Sequence, residues 1–310
     1  MKIPITQSKE WQKLQDDLGE ISFFEQGSGY QYLAILKTTP VGNYLYLPYG
    51  PVSEDKKGFE NALKSLKLLA KRQKAFFIRV EPTNPTSTQD LPKNAQKIHD
   101  SNPEMSWVLN LKDDKSTIIF NFSHGVRNAF NTFTKRGLKV EQTKNLENIN
   151  YLVKLQTKLF KEKKINTFSK SYLETELSQP FATLYLVKYF DPEKNTEKVV
   201  AASLFFDYKK TRYYMQSASD NDYKKLPTTV ALLTTAIFDA KEKGLEYFDF
   251  WGIAPDNAPN NHPWKGFTKF KKSFGGQEIK YAGTYDIVYK PAKYRLYQSM
   301  RRFNRFIRHL

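Results

Sequence analysis

The sequence predicts an α/β protein built on mixed sheets. Three observations carry that prediction. Short segments rich in Phe, Tyr, Val and Ile alternate with segments whose apolar residues recur at helical spacing. Three strand-like segments, ATLYLVKYF, KVVAASLFFDY and TRYYMQSAS, follow one another between residues 182 and 219 as a meander. A helix and one further strand come directly after them. At 310 residues the chain is long enough for two ordinary domains and a sizeable core.

The elements read in order as follows. SFFEQ, YLAILK and NYLYLPYG predict strands, with GSG at 27–29 as a hairpin turn. Residues 56–73 predict a helix, with Phe59, Leu63, Leu66 and Leu69 on one face. AFFIRVEP is a buried strand that ends at Glu81 and is stopped by Pro82. A Pro/Asn/Ser/Thr-rich loop follows, then the strand SWVLNL at 106–111. Residues 113–137 predict a helix ending at Gly137, and LENINYLVKLQTKLFKEK predicts another. After the meander, PTTVALLTTAIFDAKEKG predicts a helix opened by Pro227 and closed by Gly244. LEYFDFWGI is the strand beyond it. The tail KYRLYQSMRRFNRFIRHL places apolar residues at 294, 297, 300, 303 and 307, which is helical spacing, and Arg295, Arg301, Arg302, Arg305 and Arg308 make much of the rest basic. Such a helix can lie on anionic lipid, or dock its stripe and leave its arginines for RNA or membrane.

Composition bounds the chemistry. The chain has no cysteine, which excludes disulfides, thiolate metal sites and cysteine nucleophiles. His99, His124, His262 and His309 are far apart and fit no metal spacing, so no metal is expected. There is no G-x-S-x-G elbow and no P-loop. No apolar run is long enough for a signal peptide or a membrane span, so a cytoplasmic protein is expected. The net charge of +17 fits nucleic acid, anionic lipid or phosphate-bearing substrates, or simply a lysine-rich organism. What remains is chemistry by positioning and electrostatics.

A meander followed by helix and strand is the layout of acetyltransferase-like (GNAT-type) domains. It is clear at 182–253 and recurs in degraded form near 21–81. A coenzyme A enzyme of this kind would hold the pyrophosphate on a Gly-rich turn at a helix N-terminus. The corresponding turn here, SASDNDYKKLPTTV, has no glycine. That argues against coenzyme A, and no cofactor is expected.

Five motifs then coincide in order: TQSKEWQKLQ, LYLPYGPV, FFIRVEP, YFDFWGI and FKKSFGGQEIKYAGTYDIVY. Together they resemble the Fem family of peptidoglycan-bridge enzymes. The resemblance implies an aminoacyltransferase that moves Gly, Ala or Ser from aminoacyl-tRNA to the side-chain amine of a stem peptide. The acceptor would be a UDP-linked or lipid-linked muropeptide, with possible peripheral contact with the inner membrane surface and a monomeric enzyme. It also implies two acetyltransferase-like domains side by side: 1–112 completed by 283–310, and 113–282. The helix near 150–163 runs almost directly into the strand at 182, so the chain is similar to members without a coiled-coil arm.

Carried onto this sequence, the resemblance implies catalytic roles for Lys271 and Glu81. Lys271 would stabilise the oxyanion formed when an amine attacks an ester; a solvated basic helix face is its plain alternative. Glu81 would orient the attacking ammonium and accept its proton, or else cap the turn beside Pro82. Phe270 would sit at the acceptor end of the tRNA, with Lys265, Lys269 and Lys272 on phosphates. Lys13, Tyr49, Tyr172, Tyr214 and Gln216 would contact the acceptor. Phe168 stands where a relative has a diphosphate-clamping arginine. Two other readings stay open. One is a non-enzymatic RNA- or membrane-surface-binding protein; the other is a coenzyme A-dependent N-acyltransferase. Aminoacyl transfer to protein N-termini is a relative of the favoured reading.

Overall fold

The structure, a computed structural model, describes residues 3–99, 101–163, 167–192, 195–260, 262 and 264–308. The chain begins with α1 (Lys9–Asp17), β1 (Ile21–Gly27), β2 (Tyr30–Thr39), β3 (Gly42–Leu47) and β4 (Val52–Ser53). Next come α2 (Lys56–Arg72), β5 (Phe77–Val80) and β6 (Ala95–Lys97). The middle contains β7 (Met105–Asn110), α3 (Lys115–Asn121), α4 (His124–Thr132), β8 (Leu138–Thr143), α5 (Ile149–Lys163) and α6 (Lys170–Ser178). It continues with β9 (Ala182–Asp191), β10 (Thr196–Tyr208), β11 (Thr211–Ser219), α7 (Thr228–Glu242), β12 (Tyr247–Gly252), α8 (Lys265–Lys272) and β13 (Gln277–Lys280). β14 (Tyr285–Val288) and α9 (Pro291–Arg308) end the chain.

These elements form two units, residues 1–104 with 280–310, and residues 105–279. The sheet of the first runs β1-β2-β3-β5-β14-β6, with β4 beside β2. The sheet of the second runs β13-β7-β12-β11-β10-β9-β8. Both are mixed, and both follow one plan. An antiparallel meander is followed by a helix, and the next strand pairs parallel to the last strand of the meander. The helix is α2 in the first unit and α7 in the second. The repeat inferred from segment order is therefore present as topology.

Alternation along β5 explains how the first unit is layered. Ile78 and Val80 face α2, where Ala62, Leu66, Leu69 and Ala70 pack with them. Phe77 points the other way and joins Phe76, Val288, Tyr294 and Tyr297, which docks α9. Arg79 also lies on that side. Its guanidinium pairs bidentately with Asp286 of β14 at 2.8 and 2.9 Å and lies 5.5 Å from the Tyr44 and Phe77 rings. Tyr294 donates to the same carboxylate at 2.9 Å.

In the second unit α7 buries Ala231, Leu232, Leu233, Ala236 and Ile237 against Val187, Ala201, Phe205, Phe248 and Phe250. Arg212, fully buried, bonds Asp207 at 2.7 and 2.6 Å, Asp239 at 2.6 Å and the carbonyl of Ala236 at 2.9 Å. It therefore ties the start of β11 to α7.

Two local expectations are corrected. The helix predicted over 113–137 is two helices. Asp114 caps α3 through Thr117 N–H at 2.8 Å, and Ser123 caps α4. The break lets Phe122 enter the core beside Phe274. The stretch before the meander, read as a connection, contains α6. Ser169 caps it by accepting from Tyr172 N–H at 3.2 Å, and Leu173 and Leu177 are its buried pair at i, i+4 spacing. Only residues 164–169 separate α5 from α6, which leaves no room there for an inserted arm. Among the described residues no helix is long and apolar enough to cross a membrane.

The Arg79–Asp286 pair yields a stability prediction. Arg79→Met leaves a buried carboxylate unpaired and should cost about 3–5 kcal/mol. Arg79→Met with Asp286→Leu should recover most of that loss. Urea unfolding of the two variants measures it, and equal midpoints would show that the pair does not act as a unit.

Candidate functional site

In each unit the parallel pairing is short and then ends. β3 and β5 pair only at Leu45–Ile78, Tyr46–Arg79 and Leu47–Val80. β11 and β12 pair only at Thr211–Tyr247, Arg212–Phe248 and Tyr213–Asp249. Beyond those pairs the ladders end, save for Glu81 N–H donating to the Gly50 carbonyl at 2.8 Å in the first unit, and the carboxyl ends of parallel strands are where open α/β sheets place ligands. Glu81 follows the last pair in the first unit. Phe250, Trp251 and Gly252 follow it in the second.

Glu81 is 3% exposed, and both of its oxygens are occupied. Oε1 accepts from Asn102 N–H at 3.1 Å and the Thr284 hydroxyl at 3.0 Å. Oε2 accepts from Tyr49 N–H at 3.1 Å and the Asn102 amide at 2.8 Å. Tyr46 donates to either oxygen at 3.3 Å. Burial pushes its carboxyl up, and the bonds from Asn102, Tyr49 and Thr284 oppose that. The arrangement fastens the end of β5 to the turn at Tyr49, to residue 102 and to the entry of β14. Tyr49 itself has a φ of 51°, is buried, donates to the carbonyl of Pro103 at 3.0 Å and packs 4.7 Å from the Tyr281 ring. Lys13 is 66% exposed on α1 and pairs with Asp17 at 3.0 Å.

At the end of β12 the backbone bulges. Asp249 pairs with Val108 and Gly252 with Ser106, so two residues of β12 fall opposite one of β7. Trp251 takes a φ of 65°, in the left-handed region. The Asp249 carboxylate, buried, accepts from Trp251 N–H at 2.8 Å and from the Ser106 hydroxyl, which stabilises that turn. The turn aims the carbonyl of Gly252 at α8, where Lys271 donates to it at 2.6 Å. Burial pulls the Lys271 ammonium down to about 8, against the opposing charge of Asp249. It is thus a half-buried cation that is still mostly charged at neutral pH.

The neighbouring lysines differ from it. Lys265 donates to the Ala258 carbonyl at 3.2 Å and Asn260 at 2.6 Å. Lys272 pairs with Asp256 at 2.9 Å and lies 5.2 Å from the Trp107 ring. Both hold the loop that precedes α8. Lys269 faces solvent. Phe270 packs edge-on against Phe274 and forms a wall of a pocket of about 260 Å³ at the N-terminus of α7. Gly276 ends the segment with a φ of 106°, and a Cβ there would lie 2.6 Å from the carbonyl of Val108, so only glycine fits.

Tyr172 and Gln216 meet at a residue that sequence reasoning missed. Glu176 is fully buried on α6, one turn beyond Tyr172. Gln216 donates to its Oε1 at 3.2 Å. Among the described residues its Oε2 has no hydrogen-bond partner. Burial pushes its carboxyl up to about 8, with Gln216 and Tyr172 opposing, so it is protonated at neutral pH. Phe168 stacks on Tyr172 at 4.9 Å. Tyr172 and Glu176 share one face of α6, and Phe168 precedes its cap, a signal that becomes visible once α6 is recognised. Tyr214 is not part of this cluster. It stacks on Phe205 in the α7-side core and donates to the Ser217 hydroxyl at 2.7 Å. The β10–β11 register shift between Ser203 and Phe205 separates it from Gln216.

The FemAB family model matches residues 169–302, the stretch that carries Tyr172, Gln216, Gly252 and Lys271. No curated protein matches the sequence. Among solved structures, FemX aligns with a TM-score of 0.81 at 18% identity, over 94% of each chain. L-PGS from Bacillus licheniformis aligns at 0.59 and 12% identity, over 98% of this chain and 99% of that one. A tandem GNAT protein from the clavulanic acid biosynthesis pathway aligns at 0.50 and 10% identity, over 84% and 80%. At these identities the structural likenesses speak for the fold, two acetyltransferase-like units. Over residues 169–302 the chain is similar to the FemAB family, in line with the resemblance its motifs carry, and the likeness to FemX speaks for the fold alone.

Glu176 has a consequence for stability. A carboxyl raised from about 4.5 to about 8 contributes stability that is full below the lower value and is lost as pH rises through the upper one. Between the two, the loss is about 1.4 kcal/mol per pH unit. Glu176→Gln should therefore flatten the decline between pH 6 and 8 and raise the melting temperature at pH 8. Calorimetry across that range measures it. An unchanged slope would show that Glu176 is ionised in the folded protein.

Proposed function

We propose, from the premise that residues 169–302 carry the FemAB pattern, that the chain is an aminoacyltransferase of peptidoglycan bridge formation. In this reading it takes Gly, Ala or Ser from aminoacyl-tRNA and joins it to the side-chain amine of a stem peptide. The acceptor is a UDP-linked or lipid-linked precursor. The observation that carries the reading is Lys271, a half-buried ammonium held against the Gly252 carbonyl where β12 leaves its parallel partner.

The chemistry needs such a group. The acceptor amine attacks the ester carbonyl, a C–N bond forms, and negative charge collects on the carbonyl oxygen. The C–O bond to the ribose then breaks, the amine loses a proton and the ribose hydroxyl gains one. Lys271 uses one N–H on Gly252 and has others for the oxyanion. Such a fixed donor is worth about 3–4 kcal/mol in comparable reactions. Its lowered pKa still leaves it about nine-tenths protonated at pH 7.

The other residues take lesser parts. Phe270 and the pocket at α7 receive the 3′ end of the donor, and Lys269 meets a phosphate. Lys265 and Lys272 shape the loop beside it. Tyr172 and Gln216 face the acceptor, with neutral Glu176 holding Gln216 in place. Lys13 exchanges Asp17 for the precursor's diphosphate, at small cost because an exposed pair is worth at most about 1 kcal/mol. Glu81 acts by positioning: to serve as a base it would have to release the donors that fill its lone pairs. Tyr49 is held by the same network, and Tyr214 supports β11 from the core.

The test is incubation with UDP-linked and lipid-linked precursors and a mixed pool of charged tRNAs. Mass spectrometry of the stem peptide should show the gain of one Gly, Ala or Ser residue, abolished by ribonuclease. Acetyl-coenzyme A supplied in place of tRNA should give no product. Failure of either precursor to gain an aminoacyl group would contradict the reading.

A further inference from the structure

The face of α9 turned away from the docked tyrosines remains uncovered. Tyr294 and Tyr297 bury one side of the helix on Phe76, Phe77 and Val288. Leu296 and Phe303, two turns apart on another side, are 56% and 64% exposed, and Met300 lies between them half-buried. The helix carries six basic residues and no acidic one over Pro291–Arg308. Arg295 and Arg302, also two turns apart, flank the apolar stripe. Both are exposed, and neither has an acidic partner among the described residues. Along that flank runs a groove of about 510 Å³ lined by Arg295, Arg302, Gln298, Ser299, Asn94 and Gln96.

We infer that α9 docks this unit onto an anionic bilayer, with Leu296, Met300 and Phe303 entering the acyl boundary and the Arg295–Arg302 groove receiving a phosphate-bearing headgroup. Charge complementarity selects the occupant. A helix without a single acid is drawn to a negatively charged surface, and each arginine near such a surface contributes attraction that salt weakens. The apolar stripe decides between lipid and RNA. An RNA backbone offers nothing to cover large exposed aliphatic and aromatic side chains, whereas the acyl boundary does. The guanidinium pair and amide-lined groove beside the stripe lie at the depth where headgroup phosphates sit.

The inference stands apart from the transfer reaction and is tested without turnover. The full chain is sedimented with vesicles of phosphatidylcholine alone and of equal parts phosphatidylcholine and phosphatidylglycerol. It should pellet with the anionic vesicles only, and less as salt rises. Leu296→Ser with Phe303→Ser should bind about tenfold more weakly or worse. Arg295→Gln with Arg302→Gln should also lose about tenfold, together with most of the salt dependence. Both double variants should keep the wild-type melting temperature, because all four side chains face solvent. Equal pelleting with neutral vesicles, or full binding by the Leu296/Phe303 variant, would overturn the proposal. So would displacement from vesicles by millimolar inorganic phosphate, which would mark an isolated phosphate site. A loss of tRNA binding in both variants with vesicle binding intact would assign the face to RNA instead.

Discussion

The organising constraint is the brevity of two parallel strand pairings. Each unit joins its meander to the strand beyond the crossover helix by only three residue pairs. Within each stretch lies a buried arginine. Arg79 holds β5 to β14 through Asp286, and Arg212 holds β11 to α7 through Asp239. Each ion pair anchors its strand to a second neighbour, and breaking it would leave a buried charge without a partner. Past the last parallel pair the strand ends form turns. Tyr49 and Trp251, both at positive φ, are those turns.

The two ends are used differently. In the first unit the strand end is held, with Glu81 accepting from Tyr46, Tyr49, Asn102 and Thr284. In the second it turns toward α8. The bulge at Trp251 points the Gly252 carbonyl at α8, and Lys271 donates to it from there. Its partner is what separates Lys271 from its neighbours: it donates to a backbone carbonyl at the strand end, whereas Lys265 and Lys272 hold the preceding loop and Lys269 faces solvent. A donor already fixed in place needs little reorganisation when charge develops beside it. The same unit carries a buried ionisable group, Glu176, kept neutral by desolvation.

Much of this was legible in the sequence because it is local. Strand and helix periods, Pro227 and Gly244 at the ends of α7, and the Gly275-Gly276 turn follow from residues near one another. Lys271 was singled out by the resemblance of its motif, with a solvated basic helix face as the alternative. What stayed hidden depends on distant partners. The saturation of Glu81 requires Asn102 and Thr284, and no spacing announces them. Tyr214 and Gln216 look like a pair in the sequence, yet a bulge shared with β10 puts them in different surroundings. Glu176 was overlooked because α6 is short and polar, with only two core leucines to give it a period.

The central claim is that Lys271 acts on charge present only in the transition state. Single-turnover transfer at saturating aminoacyl-tRNA tests it most directly, comparing Lys271→Ala with Lys269→Ala and with the wild type, all verified as folded by melting temperature. The account predicts that Lys271→Ala lowers the saturating rate by about 10²–10³, while Lys269→Ala raises only the tRNA concentration required. A Lys271→Ala enzyme that reaches the wild-type rate once enough tRNA is supplied would contradict it.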